Sequence, residues 1–439
     1  MALTNRGVTK RARVAAAGIV FGVAGLLLGP AGGASAADWP QWRGPQRDGT
    51  SAETGLLKEW PKDGPKLLWQ ASDIGFGYST PAVVGDRLYL MSNKGGDDEF
   101  VQALNVADGK QAWAARVGKV GPNTPAMNYP GARSTPTVDG EVLYALGSDG
   151  DLACLETATG KVRWQKNLRT DFGGRPGRWA YAESPLVDGD RVVCTPGGAD
   201  ATIVALDKRT GGVAWKCPVP GADEAGYASV TVVEAGGVRQ YIQFLEKGLV
   251  GVDAATGKFL WRDERTAKGS PANILTPVAR DGFVYSGASR SGGGLVRIKA
   301  GDGGGAVTAE PVYFNTKLPT AIGGAVLVGD HLYGAGGQVL VCADFKTGGV
   351  QWTDRSVGAG SVLYADGRLY LHGENGEVAL AEATPEAYRE RGRFTPPRQP
   401  DRGRSKAWAY PVVANGRLYV RDLGVLWCYD VRDPAAGAK

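Results

Sequence analysis

The sequence predicts an all-β fold, an eight-bladed β-propeller of four-stranded antiparallel blades, on three observations. A segment that reads as a hairpin ending in tryptophan recurs along the chain, for example IVALDKRTGGVAW from Ile203 to Trp215. A second element, strand then glycine turn then strand, recurs eight times from Gly85 to Gly416, and successive copies are about 47 residues apart, which is typical of four-stranded blades. Sixty-seven glycines and only three methionines favour short strands and tight turns. Two irregular copies leave seven blades as the alternative.

The hairpin segment has a clear physical basis. Gly211 can adopt a positive φ at little steric cost, and the Asp207 carboxylate can accept hydrogen bonds from turn amides. Trp215 then lies on the returning strand, where its large apolar surface is expected to wedge against a neighbouring blade. Four other copies end in the same way, at Trp113, Trp164, Trp261 and Trp352.

Two copies depart from this pattern. In the fifth, Tyr313 or Phe314 stands where tryptophan is expected. In the seventh, EATPEAYRERGRF replaces the tight turn, which predicts one helical turn near Pro385 and Phe394 in the tryptophan place.

The two ends of the chain complement each other. The eighth copy stops after GVLWCYDVRDP with no tryptophan strand behind it, whereas PKLLWQA around Trp69 has no strands before it. Because an open ring leaves unpaired strand edges, we expect Leu67 to Gln70 to complete the last blade. The predicted organisation is therefore a lead-in at 37–66, a propeller at 67–433 and a tail at 434–439. Trp39 and Trp42 are expected to clamp the lead-in across blade edges, and a docking surface is the alternative.

Residues 1–36 have the layout of a secretory signal peptide. Four basic residues precede an apolar run from Val14 to Leu28, and Ala34-Ser35-Ala36 offers a small-residue cleavage site. The mature chain would be periplasmic or extracellular, and no later stretch predicts a membrane span. Removal of the four basic residues takes the balance from 50 basic against 45 acidic to 46 against 45. A net charge of +1 gives no support for a nucleic-acid partner.

Cysteine and histidine usage predicts no catalytic or metal site. Five cysteines cannot all pair within one chain, so we expect mostly buried free thiols, and only Cys194 and Cys217 belong to one repeat and could pair. His331 and His372 lie on repeat strands without the spacing of a zinc site or a triad.

The candidate ligand site follows from the geometry of a propeller. The first strand of each blade lines the central channel, and the segment leading into that strand opens on the face where ligands bind. Several aromatic residues, an arginine and a carboxylate converge there, which predicts a funnel for a small organic or saccharide ligand or a peptide. The alternative is that these residues only line a narrow, water-filled pore and bind no ligand. The candidates are Tyr78, Arg133, Tyr181, Glu183, Tyr227, Asn273, Trp408 and Tyr410, and nearby loops add Tyr129, Arg178 and Trp179.

The repeated sequence motif resembles that of a known family. LDKRTGGVAW from Leu206 and VDAATGKFLW from Val252 are similar to the pyrroloquinoline-quinone-type (PQQ-like) β-propeller repeat. This family includes quinoprotein alcohol dehydrogenases and outer-membrane assembly factors of the BamB type. The resemblance implies either a non-catalytic, monomeric binding or scaffold protein of the cell envelope, with an envelope protein as its partner, or a PQQ-dependent dehydrogenase with calcium. Quinoprotein dehydrogenases carry a vicinal Cys-Cys disulfide and envelope assembly factors a lipid-accepting cysteine, and neither is present in this sequence.

Overall fold

The computed structural model describes residues 37–121, 131–301 and 306–436. All regular elements in these ranges are β-strands, and the described residues contain no helix that could cross a membrane. The predicted signal peptide at 1–36 and the candidate Tyr129 lie outside the described residues.

Two short strands of the lead-in region come first, β1 (Thr50–Ser51) and β2 (Lys66–Ala71). Blades 1 to 4 follow in chain order. Blade 1 contains β3 (Ala82–Val84), β4 (Arg87–Lys94), β5 (Asp98–Asn105) and β6 (Gln111–Lys119). Blade 2 contains β7 (Thr137–Asp139), β8 (Val142–Leu146), β9 (Asp151–Glu156) and β10 (Val162–Asn167). Blade 3 contains β11 (Leu186–Asp188), β12 (Arg191–Cys194), β13 (Ile203–Asp207) and β14 (Val213–Cys217). Blade 4 contains β15 (Thr231–Ala235), β16 (Val238–Phe244), β17 (Leu249–Asp253) and β18 (Phe259–Asp263).

Blades 5 to 8 complete the chain. Blade 5 contains β19 (Val278–Arg280), β20 (Phe283–Ala288), β21 (Gly292–Ala300) and β22 (Val307–Asn315). Blade 6 contains β23 (Ala325–Val328), β24 (His331–Gly336), β25 (Val339–Asp344) and β26 (Val350–Asp354). Blade 7 contains β27 (Gly360–Ala365), β28 (Arg368–Gly373), β29 (Val378–Glu382) and β30 (Glu390–Phe394). Blade 8 contains β31 (Val412–Ala414), β32 (Arg417–Asp422) and β33 (Val425–Asp430), and β2 pairs with β33 as its outer strand.

The described residues therefore form eight antiparallel four-stranded sheets, which confirms the eight-bladed propeller over the seven-bladed alternative. β1 is an addition, because it pairs in parallel with the inner strand β27. The pairing of β2 runs from Lys66 opposite Asp430 to Ala71 opposite Leu426. The first and last parts of the propeller thus share one sheet, which leaves no gap between blade 8 and blade 1.

The third and fourth strands of each regular blade are joined by the predicted tight turn. The Asp207 carboxylate accepts hydrogen bonds from the backbone N–H of Arg209 at 3.0 Å and of Thr210 at 2.9 Å, and Gly211 has a φ of 70°. Asp344 and Gly348 repeat this arrangement in blade 6. In these two turns the aspartate and the glycine four residues later thus have the roles that the sequence predicted.

The tryptophan on the outer strand contacts the next blade, as the sequence predicted. Trp164 of blade 2 donates its indole N–H to the carbonyl of Lys208 in blade 3 at 3.0 Å, and its ring lies against Gly211. The same bond links four other blade pairs, through Trp69, Trp113, Trp215 and Trp352. The exception is Trp261, which donates to Gln240 in its own blade. Each tryptophan thus covers apolar surface between two sheets while its polar N–H is satisfied.

Two irregular copies differ from the sequence prediction in detail. Tyr313 takes the tryptophan place in blade 5, opposite Leu295, and Phe314 is exposed. In blade 7 the corresponding position, opposite Leu380, is Gly392, so the prediction that Phe394 occupies it is wrong by two residues. The predicted helical turn at Pro385 is also wrong: residues 383–389 form an irregular loop that brings Tyr388 to 6.0 Å from the ring of Trp352.

The lead-in runs along the inner strands of the blades rather than along their outer edges. Trp39 pairs with Val83 of blade 1 through two backbone hydrogen bonds, and the carbonyl of Pro40 accepts from Val138 of blade 2. Further along, Ser51 donates to Val413 of blade 8 at 2.9 Å. The Glu53 carboxylate accepts the two N–H groups of the turn after β31, those of Asn415 and Gly416. The lead-in therefore ties the inner strands of separate blades together.

The cysteines are buried and free. Cys194 and Cys217, the one pair considered for a disulfide, are separate thiols, as are Cys154, Cys342 and Cys428. Burial raises the pKa of the Cys217 thiol to about 12, so these side chains behave as small apolar residues of the blade cores.

Candidate funnel pocket

The segments that lead into the inner strands enclose a pocket of about 300 Å³, which we call the funnel pocket. Seven of the eight blades contribute to it, together with the lead-in. Six aromatic side chains dominate its wall. The lining residues are Trp42, Tyr78, Arg133, Trp179, Ala182, Tyr227, Ser229, Ala272, Ile274, Ser289, Ile322, Trp408 and Tyr410.

Backbone hydrogen bonds between neighbouring segments fix the aromatic wall. The carbonyl of Ala132 accepts from the N–H groups of Tyr78 and Ser79, and the carbonyl of Asn273 accepts from Tyr227 and Ala228. In blades 1 and 4 the segment that leads into the inner strand is thus held by the corresponding segment of the next blade.

The aromatic rings also contact one another in pairs. Tyr78 and Trp408 have ring centroids 5.2 Å apart, and those of Trp179 and Tyr227 are 5.8 Å apart. The Tyr227 hydroxyl accepts from the backbone N–H of Trp179 at 3.1 Å. These pairs hold the rings in a fixed arrangement, so the wall is largely pre-formed.

The lead-in supplies the floor of the pocket. Trp42 meets Tyr410 edge to face with ring centroids 4.6 Å apart, and donates its indole N–H to Thr276 at 2.9 Å. The guanidinium of Arg43 lies 5.7 Å from the centre of the Tyr410 ring and donates to the carbonyls of Asp48 and Ala325. Burial lowers the pKa of Arg43 and raises the pKa of Tyr410 to about 12, because little solvent reaches these two side chains.

Arg133 is the only charged side chain among the described lining residues. Burial lowers its pKa, and the nearby carboxyl of Glu99 acts in the opposite direction. Both Glu99 oxygens are occupied by Ser148, which donates its N–H at 2.6 Å and its hydroxyl at 2.7 Å. Burial raises the pKa of Glu99, whereas the hydrogen bonds from Ser148 and the charge of Arg133 lower it, so Arg133 and Glu99 stabilise each other's charged forms.

Five of the eight predicted site residues line the pocket, namely Tyr78, Arg133, Tyr227, Trp408 and Tyr410. Tyr181 and Glu183 do not, because Ala182 between them faces the pocket and an extended segment points alternate side chains in opposite directions. Tyr181 donates to the carbonyl of Pro196 at 2.8 Å. Asn273 also points away and donates its amide to the carbonyls of Leu245 and Glu246.

Glu183, the one acidic candidate, lies in a closed polar cluster. Its carboxylate accepts the backbone N–H and the hydroxyl of Thr195 and the amide of Gln243. Burial raises the pKa of Glu183 to about 7, and the hydrogen bonds from Thr195 and the charge of Arg47 oppose that rise without cancelling it. Its role is to hold segments of blades 3 and 4 together, with no access to a ligand.

Sequence reasoning missed most of the small lining residues and the floor. Ile274 and Ile322 lead into inner strands as the predicted aromatics do, but apolar residues there carried no chemical signal. Trp42 was expected to clamp the lead-in across blade edges, with a docking surface as the alternative, and the structure places it in the lining of the pocket. The sequence signal that could have indicated the floor was the composition of WPQWRGP, since tryptophan and arginine are enriched at binding sites.

The lining residues do not fit a calcium-bound quinone. Calcium requires oxygen ligands, usually including carboxylates, and no Asp or Glu is among the described lining residues. The described residues also hold no group of three His, Cys, Asp or Glu side chains positioned to share a metal ion.

Comparisons with known proteins identify the family. A family model described as "Outer membrane protein assembly factor BamB", of the PQQ-like repeat type, matches residues 50–178 and 126–353. The chain belongs to this family. BamB from Yersinia pestis is 26% identical over 223 residues, which make up 51% of this chain and 51% of that protein. The chain therefore matches about half the length of this relative.

Two further comparisons are consistent with the fold. The quinoprotein ethanol dehydrogenase of Pseudomonas aeruginosa is 35% identical over 114 residues, 24% of this chain and 18% of that protein. The crystal structure of BamB from Moraxella catarrhalis superimposes with a TM-score of 0.59 at 15% identity. It covers 83% of this chain and 97% of that chain. At this identity the superposition shows the architecture and nothing about the ligand.

Proposed function

We propose that this chain is an exported, non-catalytic binding protein of the cell envelope that holds a ligand in the funnel pocket. The observation that carries the proposal is the pocket itself, a pre-formed, aromatic-walled cavity on the propeller axis whose described lining residues include one charged side chain. Pockets of this kind bind by burying an apolar face of the ligand while a few polar groups orient it. The described lining residues include no Asp, Glu, His, Lys or Cys that could act as a general base, and the carboxyl of Glu183, whose pKa burial raises to about 7, is enclosed behind the wall.

The location follows from two independent features. Residues 1–36 have the layout of a secretory signal peptide. The family model that matches this chain is described as an outer membrane protein assembly factor. Both support a periplasmic or extracellular protein, which we expect to be a monomer.

A small molecule fits the pocket better than a folded partner does. The cavity of about 300 Å³ is at the lower end of the range for small-molecule sites, and only a side chain or a short peptide segment of a protein could enter it. An envelope protein docking across the funnel face is the second candidate, and it is favoured by the similarity to BamB.

A thermal-shift screen tests the ligand role. The panel consists of neutral monosaccharides, sugar acids, aromatic carboxylates and neutral aromatics, each added to the wild type, Trp408→Ala and Phe76→Ala. Trp408 lines the pocket, whereas Phe76 is 49% exposed and lies outside it. The proposal is supported if a compound raises the melting temperature of the wild type and of Phe76→Ala but not that of Trp408→Ala. No stabilisation by any compound, or equal stabilisation of all three proteins, contradicts it.

The enzymatic alternative has its own test. Purified protein incubated with PQQ and calcium is assayed for alcohol-dependent dye reduction. We expect none, because the described wall provides no carboxylate for the calcium ion. Turnover that is lost in Trp408→Ala would overturn the non-catalytic assignment.

A further inference from the structure

We propose that the funnel pocket binds a compact, uncharged ring compound with few polar groups, in preference to a saccharide or an ion. This inference rests on the binding function proposed above and adds the chemical class of the ligand. It depends on where the wall directs its hydrogen-bonding groups, on the balance of charge around Arg133 and on the size and shape of the cavity.

Hydrogen bonds within the protein occupy the polar ends of three wall aromatics. Trp408 donates its indole N–H to the Glu374 carboxylate at 2.7 Å. Tyr410 donates its hydroxyl to the carbonyl of Ile322 at 2.6 Å, and the indole N–H of Trp42 in the floor is also bound. Because each of these rings has a single polar hydrogen to donate, the three rings present apolar surface to a ligand.

The smaller lining side chains add little polarity. Four of them are aliphatic, namely Ala182, Ala272, Ile274 and Ile322. The Ser229 hydroxyl already accepts the backbone N–H of Ser184 at 2.9 Å, and Ser289 is exposed to solvent. A sugar needs a hydrogen-bond partner for each hydroxyl that it buries, and this wall would leave most of its hydroxyls unsatisfied. An apolar ring has no such cost and is stabilised by leaving water.

The charge at the wall is balanced within the protein. Arg133 and Glu99 stabilise each other's charged forms. An anion bound near Arg133 would be repelled by Glu99, and a cation would be repelled by the guanidinium. Because an ion is costly to remove from water unless an opposite charge compensates it, the pocket favours an uncharged ligand over both.

The size and shape of the cavity suit one ring or a small pair of rings. Its volume is about 300 Å³, and the floor closes it along the axis. The wall aromatics meet at an angle, 44° between the rings of Tyr78 and Trp408 and 66° between those of Trp179 and Tyr227. A flat ligand can therefore meet both faces and edges of rings, the arrangements that aromatic pairs prefer.

Matched probes test the inference by isothermal titration against the wild type. Benzyl alcohol, benzoate and benzylammonium share one ring and differ in charge. Cyclohexylmethanol and glucose both have a six-membered ring with a hydroxymethyl group, and glucose carries further hydroxyls. We expect each uncharged, less polar probe to bind at least about tenfold more tightly than its partners, since burial of an unpaired polar or charged group costs about this factor or more. Its binding should have a negative heat-capacity change and be insensitive to salt.

A pair of variants tests the apolar wall. Ile274→Thr places a hydroxyl in the lining, whereas Val312→Thr makes a similar change at a residue that is 42% exposed and lies outside the pocket. The uncharged probe that binds the wild type most tightly should bind Ile274→Thr at least about threefold more weakly and Val312→Thr equally well. Melting curves establish that both variants are folded.

Several outcomes would overturn the inference and leave the binding function standing. They are equal or tighter binding of glucose or of either ion, and an affinity for the uncharged probe that Ile274→Thr does not change. Absence of binding by every probe also overturns the inference. If the thermal-shift screen then shows no stabilisation by any compound, the binding function is overturned as well.

Discussion

Trp60 of the lead-in fills the space that Gly392 leaves open in blade 7. A Cβ atom on Gly392 would lie 2.6 Å from Cβ of Trp60, and the Trp60 ring meets Tyr370 and Phe394 edge to face at 5.8 and 5.4 Å. In blades 1, 2 and 6 a tryptophan of the outer strand contacts the tyrosine of the second strand at a similar distance, 5.9–6.0 Å, with the two rings tilted. Blade 7 thus takes its tryptophan from a distant part of the chain.

Replacement of Trp60 should destabilise the propeller strongly. Its side chain is 5% exposed, and Trp60→Ala leaves a cavity in the core, so we expect a loss of about 3–5 kcal/mol in the free energy of unfolding, measured by urea denaturation. Trp60→Phe should lose less, because the indole N–H has no hydrogen-bond partner in the described structure. A loss below about 1 kcal/mol for Trp60→Ala would show that the lead-in is not part of the blade core.

The glycine of the tight turn should be required for packing as well as for backbone shape. Gly160 has a φ of 73°, and a Cβ there would lie 2.5 Å from the ring of Trp113 in the preceding blade. Gly140 has a similar φ of 61° but no atom within 4 Å of its Cβ position. Gly140→Ala should cost about 1 kcal/mol for the left-handed backbone alone, and Gly160→Ala at least about 1 kcal/mol more. Equal losses on urea denaturation would contradict a role for the tryptophan contact.

Ring closure by β2 predicts the effect of truncation. Deleting residues 37–70 removes all but one residue of the outer strand of blade 8 and all the lead-in contacts with the inner strands, so we expect aggregation in size-exclusion chromatography and no cooperative melting. Deleting residues 434–439, which follow the last strand, should leave the elution volume and the melting transition unchanged. A native melting transition in the longer deletion would show that blade 8 closes the ring without β2.

The buried carboxyl of Glu183 should make stability depend on pH. Its pKa is about 7 in the folded protein against an ordinary value of 4.5, so between these values the folded state keeps a proton that the unfolded state releases. Stability therefore falls as the pH rises from 4.5 to 7, by roughly 3 kcal/mol in total. Glu183→Gln should reduce this slope in urea titrations at pH 5 and pH 8, and the exposed Glu59→Gln should not. An unchanged slope would mean that Arg47 keeps Glu183 ionised.

The repeat pattern was sufficient to predict the blades because each blade is defined locally. The alternation of apolar residues, the Asp207-type turn and the tryptophan after it lie within about 45 residues of one another. The position of β2 could also be inferred, because a missing strand at one end matched a spare strand at the other. Gly392 could not be assigned in this way, since its partner Trp60 is more than 300 residues away.

The funnel pocket was predicted in part for a related reason. Residues leading into inner strands were expected to converge on the axis, and the structure places Tyr78, Arg133 and Trp408 in the lining of one pocket. Which side of an extended segment faces the axis depends on a register of one residue, and this decides between Ala182 and Glu183. The floor depends on the path of the lead-in, for which the repeat contains no information.

Pairing of β2 with β33 has a consequence for biogenesis. The ribosome makes Lys66–Ala71 more than 350 residues before Val425–Asp430, so the sheet that joins them cannot form until both strands have been synthesised. Until then β2 has no strand to pair with. A chain that crosses a membrane unfolded would satisfy this order of events, because both strands are then present on the far side of the membrane when β2 pairs with β33.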